Sequence, residues 1–255
     1  MSFPYARSCA CVAALAPAIA LAQAQATVKP DGEFRYALGA GASYSSGNTS
    51  AASANVAADG VRATDDNKWV FGGKALWSRS EGSTTASNVA LNTQYDQNFT
   101  PLWFGFGSGD YLHDQFANIS ARYAAHVGVG RHMVKSDSLT FDLSAGIGYT
   151  EDRYLDPADI RGELRDNFGR AELVLAEETS YKWTPSTSLH QKLSFYPAIS
   201  NSGGFRGVFD SGLAVAMTPT LNLTVGFTYR YNSDPGTGFK RGDTLFVTGI
   251  AMKFD

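Results

Sequence analysis

The sequence predicts an all-β fold: a transmembrane antiparallel β-barrel of about twelve strands, preceded by a cleaved signal peptide. Three observations point there. Segments of about ten residues alternate apolar or aromatic side chains with small or polar ones, the period of a strand with one face in lipid. The connections alternate in length. The turns at Thr64, Thr100, Lys135, Pro185 and Thr218 fall on one side, and the longest loops, around Asp156 and Asp234, fall on the other. Aromatic residues recur at both ends of the apolar faces, which a soluble β-sandwich does not need.

The 255-residue chain opens on a stretch outside this pattern. Residues 1–26 read as a signal peptide. Arg7 supplies a thin positive region, Ala10 to Leu21 a short apolar run, and Ala20-Leu-Ala22 and Ala24-Gln-Ala26 small-x-small cleavage sites. That run is too short for a membrane-spanning helix, and no later stretch is long enough. Both cysteines, Cys9 and Cys11, lie within it. Residues 27–255, the barrel, are therefore expected to hold no disulfide and no thiolate metal site. A net charge of −3 is not the basic balance of a nucleic-acid binder.

The strands follow in order. Phe34 to Ser45 sets Phe34, Tyr36, Leu38, Ala40, Ala42 and Tyr44 outward against Arg35, Gly39, Gly41 and Ser43 inward. Ala51 to Ala63 is a weaker, alanine-rich strand whose in/out parity the pattern leaves open. Lys68 to Ser78 has Trp69, Phe71 and Trp77 on one face and Lys74 on the other. Asn88 to Phe99 alternates Val89, Leu91, Tyr95 and Phe99 with Asn88, Asn92, Gln94 and Asp96. Leu102 to Leu112 is expected to turn Leu102, Phe104 and Phe106 outward and Gly105, Gly107 and Gly109 inward. Ala121 to Met133 and Leu139 to Tyr149 alternate clearly, and Thr150 to Asn167 is expected to be a long charged loop. Strands at Phe168 to Lys182, Leu189 to Tyr196 and Phe205 to Met217 lead to a closing hairpin from Leu221 to Phe254.

Few residues point to catalysis. The glycine pairs in Gly105 to Gly109 and at Gly128 and Gly130 lack the strand-to-helix context of a nucleotide loop, and they are placed inward. His113, His126, His132 and His190 are all assigned inward, away from lipid, and none pairs with a serine as an ester-cleaving dyad requires. No enzyme, cofactor or metal is expected. The charges expected to line the lumen carry more information. Arg35, Lys74, Arg122, Arg170, Lys192, Arg206 and Arg230 stand with His126 against Asp96, Asp142, Glu172 and Asp210. Such charges either line an aqueous path or neutralise one another in a closed interior. On this count cations exceed acids, which tilts an open path towards anions.

The Ser46-Gly-Asn-Thr49 turn, the Gly-x-Gly-Tyr149 strand end, and the Tyr231-Asn-Ser-Asp-Pro235 and Lys240-Arg-Gly-Asp-Thr244 elements resemble the YdiY-like family of salt-stress-induced outer-membrane proteins. The resemblance spans nearly all of residues 27–255 and implies a bacterial outer-membrane barrel, with no catalytic residues. The expected function is a narrow passive channel for small anionic solutes; the alternative is a non-conducting envelope protein with a charge-plugged lumen. The expected partners are outer-membrane lipid and lipopolysaccharide; the carboxylates and arginines of the charged loop from Glu151 to Asp166 either meet the phosphates of the latter or form a simple solvated loop. Barrel-assembly machinery is expected to read the last strand, ending at Phe254. The chain is expected to be a monomer that binds no nucleic acid.

Overall fold

The computed structural model describes residues 26–45, 50–200 and 204–254. The expected signal peptide, apart from Ala26, and the Ser46-Gly-Asn-Thr49 turn lie outside these residues. The described chain forms twelve strands: β1 (Phe34–Ser45), β2 (Ala51–Ala63), β3 (Asn67–Ser80), β4 (Ser83–Asn98), β5 (Trp103–Asp114), β6 (Ile119–Lys135), β7 (Leu139–Ile160), β8 (Glu163–Thr184), β9 (Thr187–Pro197), β10 (Phe205–Ala216), β11 (Leu221–Asn232) and β12 (Gly242–Phe254). Each pairs antiparallel with its neighbours in sequence, and β1 pairs with β12 to close the barrel.

The wall is apolar outside and polar inside, the reverse of a soluble protein. Leu38, Val56, Leu91, Val127, Leu143, Ile147, Leu175, Leu223 and Ile250 are all exposed on the outer face. Water would leave that belt strongly unfavourable, whereas lipid makes it neutral. Exposed aromatics border it at both ends. Phe34, Trp69, Tyr95, Trp103, Trp183 and Phe254 lie at the end carrying β1's start, and Tyr44, Trp77, Tyr123, Tyr149 and Tyr229 lie nearer the other. These rings suit the polar edge of a bilayer. The fold is a transmembrane barrel.

Connections at the end holding β1's start are short; at the opposite, loop end the β11–β12 connection is long, as expected around Asp234, and so is β9–β10, but not every connection there is. Two loop-end hairpins close in two residues. Glu81 and Gly82 (φ 49° and 81°) join β3 to β4, and Arg161 and Gly162 (φ 60° and 83°) join β7 to β8. Successive positive φ values match the right-handed twist of the flanking strands.

The second turn corrects the expected loop over Thr150 to Asn167, which is mostly strand. β7 and β8 continue as a hairpin of two 22-residue strands. Its ladder breaks only between Arg153 and Ala158. Asn118 supports the break: its side chain donates to Asp156 O at 2.8 Å and accepts from Asp156 N at 2.9 Å. Charged residues do not prevent strand pairing where they turn to water; the other face of the ribbon tip buries Ala158 and Ile160 beside Gly236.

β5 is a second correction. Its pairing of Phe104 with Gly130 and of Ser108 with His126 turns Phe104, Phe106, Ser108 and Asp110 inward, and Gly105, Gly107, Gly109 and His113 outward. A strand of alternating Phe and Gly has no intrinsic inside; its neighbours decide. Phe104 is buried over Gly130, where a Cβ would lie 2.1 Å from its Cζ, and it stacks on His132 at 4.8 Å. Of the outward glycines, Gly105 is covered by the Phe99 ring, whereas nothing lies close over Gly107.

The alanine-rich β2 is in register with both neighbours along its length, with Ala54, Val56 and Ala58 outward and Ser53, Asn55, Ala57 and Asp59 inward. At the closing seam, β1 and β12 pair only from Tyr36–Phe254 to Ala40–Ile250. Tyr36 stacks on Phe254 at 4.7 Å across that join. Towards the loop end, Gly41 to Tyr44 pair with β2 and Phe246 to Gly249 pair with β11, and the ladder between the two edges does not continue there.

Candidate functional site in the barrel lumen

Strand parity sends Arg35, Lys74, Arg122, His126, Arg170, Glu172, Lys192, Arg206, Asp210 and Arg230 into the interior, together with Asp96 and Asp142. It also brings in Lys68, Asp59, Asp110, Asp152 and Glu178, which the sequence reading did not count. Three of these omissions have a cause. Asp59 sits on the strand of open parity, Asp110 on the strand read with its faces exchanged, and Asp152 in the segment read as loop. With these added, the lumen cations no longer outnumber the lumen carboxylates.

Nearest the start of β1, Arg35 holds Asp31 through two hydrogen bonds of 2.7 and 2.6 Å. That guanidinium, with a backbone bond from Glu33, keeps the Asp31 carboxyl well below the usual carboxylate range.

A second group bridges the barrel. Lys68 on β3 lies 3.2 Å from Asp96 on β4 and 3.9 Å from Glu178 on β8. Lys192 on β9 lies 3.4 Å from Glu178 and donates to Gln94 Oε1 on β4 at 3.1 Å. Lys74 on β3 lies 3.7 Å from Asp210 on β10, which also accepts from Thr228 Oγ1 at 2.6 Å. β3 and β8, β3 and β10, and β4 and β9 are each five strands apart in a ring where six is the maximum. These side chains therefore meet across the lumen, not along one wall. His132 adds a wall contact to Asp142 at 2.7 Å.

A third group lies towards the loop end, centred on Glu172, which is fully buried. Its Oε1 accepts from Arg206 Nη2 at 2.6 Å and Thr150 Oγ1 at 2.7 Å, and lies 2.9 Å from His126 Nε2. Arg170 reaches Glu172 at 3.5 Å and donates to Asp152 at 3.1 Å, and Arg122 grips Asp152 with a two-pronged contact. Arg206 also lies 5.0 Å over the Tyr196 ring. Charge-assisted bonds among several strands hold this layer in one arrangement.

Beyond it opens a cavity of about 390 Å³. Five cations line it (Arg122, Arg206, Arg230, Lys240, Arg241) beside three carboxylates (Asp114, Asp152, Asp243). The β11–β12 loop roofs one side. Arg161 Nε donates to Asp234 at 2.6 Å and Thr237 Oγ1 to Asp159 at 3.2 Å, stitching that loop to the β7–β8 hairpin. The two long connections expected on one side thus touch one another. No group of three or more metal-ligating side chains is present among the described residues.

A family model described as "Protein of unknown function, DUF481" matches residues 38–254. Among solved structures, the chain is similar to the NanC porin, at 13% identity and a TM-score of 0.45, over 86% of this chain and 97% of that one. It is similar to the translocator domain of the autotransporter NalP from Neisseria meningitidis, at 11% identity and a TM-score of 0.45, over 87% of each chain. It is also similar to the KdgM porin in complex with disordered oligogalacturonate, at 9% identity and a TM-score of 0.44, over 88% of this chain and 100% of that one. No curated protein matches the chain.

Proposed function

The chain belongs to the DUF481 family of unknown function, and from that premise and the geometry of the lumen we propose a restricted outer-membrane channel for small anionic solutes. The apolar belt supports the membrane placement. The loop end, carrying the larger connections, faces outside, as barrels with short periplasmic turns are oriented. Solutes enter the cation-lined cavity and meet a constriction in which Lys68, Lys74 and Lys192 reach across to Glu178, Asp210 and Gln94. That crossing is the observation that carries the proposal. A ring of twelve strands encloses more interior than the eight whose side chains just fill it, so here charged side chains occupy space that would otherwise be open path.

The same bridges favour a second reading, a barrel that never conducts and serves as a closed wall in a salt-stressed envelope. Planar-bilayer recordings separate the two, using wild type and a K68S/K74S/K192S variant. A small, discrete wild-type conductance that rises several-fold in the variant, with anion-favouring reversal potentials in wild type, supports the restricted channel. A silent wild type beside a conducting variant establishes the closed wall. Cation preference in the wild type overturns the solute class.

A further inference from the structure

We propose that the cavity at the loop end is a binding site for a small ring-shaped molecule carrying one carboxylate. This deepens the channel reading and rests on it only for the side from which the ligand enters.

The charge argument begins inside the cavity. Arg122 is committed to Asp152, and Arg206 to Glu172 beneath the floor. Asp114 is occupied by the β5–β6 turn, accepting from Phe116 N and Ala117 N, both at 3.1 Å. Arg230 differs. It lies beside Asp243 in the β11–β12 ladder, yet it makes no hydrogen bond or ion pair within 4 Å to any described residue. Arg206, on the adjacent strand, also lines the cavity, with its guanidinium held by Glu172. Arg230 on β11 thus carries unused donor capacity at the cavity, beside the cationic Arg206 on β10. Guanidinium presents its donors in a planar fork that matches a carboxylate.

The remaining lining sets the body of the ligand. Tyr154, Phe116 and Phe239 bring aromatic rings to the lining, and Leu112, Ile119 and Val208 bring apolar surface. A free inorganic anion would leave this surface in contact with water, whereas a flat ring covers it. The volume of about 390 Å³ fits one small molecule, at the low end of ligand pockets. The roof formed by the β11–β12 loop is tied down at Asp234 and Thr237, so the cavity exists before the ligand arrives.

Calorimetric titration of the refolded barrel with benzoate and glucuronate, each beside its neutral counterpart, benzamide and glucose, tests the site. At least one carboxylate should bind saturably, about tenfold or more tighter than its neutral counterpart. Which one binds more tightly distinguishes an aromatic from a sugar ring. Arg230→Gln should weaken that binding about tenfold while circular dichroism shows the barrel intact; Lys182→Gln, at the opposite end, should leave it unchanged. No saturable binding, equal binding of the neutral counterparts, or wild-type affinity in Arg230→Gln overturns the proposal. Conductance of the same preparation keeps the two ideas apart. A barrel that conducts but does not bind sinks this site alone, and one that binds but stays silent sinks the channel alone.

Discussion

Glu172 shows how much one side chain can hold in this lumen. It has no exposed surface, and Arg206, Arg170, His126 and Thr150 from three further strands and its own all converge on it. Replacing it with glutamine keeps the shape but leaves buried cations without a carboxylate. Breaking a buried pair from one side costs about 3–5 kcal/mol, because the remaining charge stays desolvated. Glu172→Gln should therefore shift the urea midpoint of the barrel in lipid vesicles strongly downward. Asp234→Asn removes an ion pair that is about one-third exposed at each partner and should cost no more than about 1 kcal/mol. Comparable shifts for the two would mean that the Glu172 layer is as wet as the loops. The sequence placed Glu172 and its basic partners on inward faces; it did not show that they meet, since parity assigns a face but not a height.

Among the elements, the β1–β12 seam stands apart. Every other neighbouring pair exchanges hydrogen bonds along most of its length, while this one does so over five residue pairs near the ends of the chain. Backbone groups without a ladder partner open at little cost. In hydrogen exchange, the segment from Thr244 to Gly249 should take up deuterium faster than Gly226 to Tyr231 on β11, which is laddered on both edges. Equal protection would show that the seam closes fully in lipid. The alternation of the last hairpin made β12 plain as a strand. Its partner on the far side is a matter of closure, which joins residues more than 200 positions apart and has no local signature.

For the molecule as a whole, location is the first thing to test. An apolar outer wall requires lipid, and the aromatic borders require two interfaces. Cell fractionation should place the protein in the outer membrane, with a mature N-terminus between Gln23 and Thr27 if the small-residue sites near Ala22 to Ala26 are cut. An intact Met1 on protein recovered from the soluble cytoplasmic fraction would overturn both the export and the membrane assignment.

By itself the sequence determined the fold class, the strand number and the two-sided character of the wall. These depend on period-two alternation and turn chemistry, which act over a few neighbouring residues. Where alternation carried no polarity signal, as in the Phe-Gly run of β5 or the alanines of β2, only pairing with the neighbouring strands decided which face was inside. Charge in the segment after Thr150 was read as loop, and the continuing ladder with β8 made it strand. Which lumen residues meet was decided by tertiary structure. Whether Lys74 lines an open path or reaches Asp210 depends on the diameter of the ring and the relative heights of strands on opposite sides. Closure and register set both, through contacts between residues far apart in the chain.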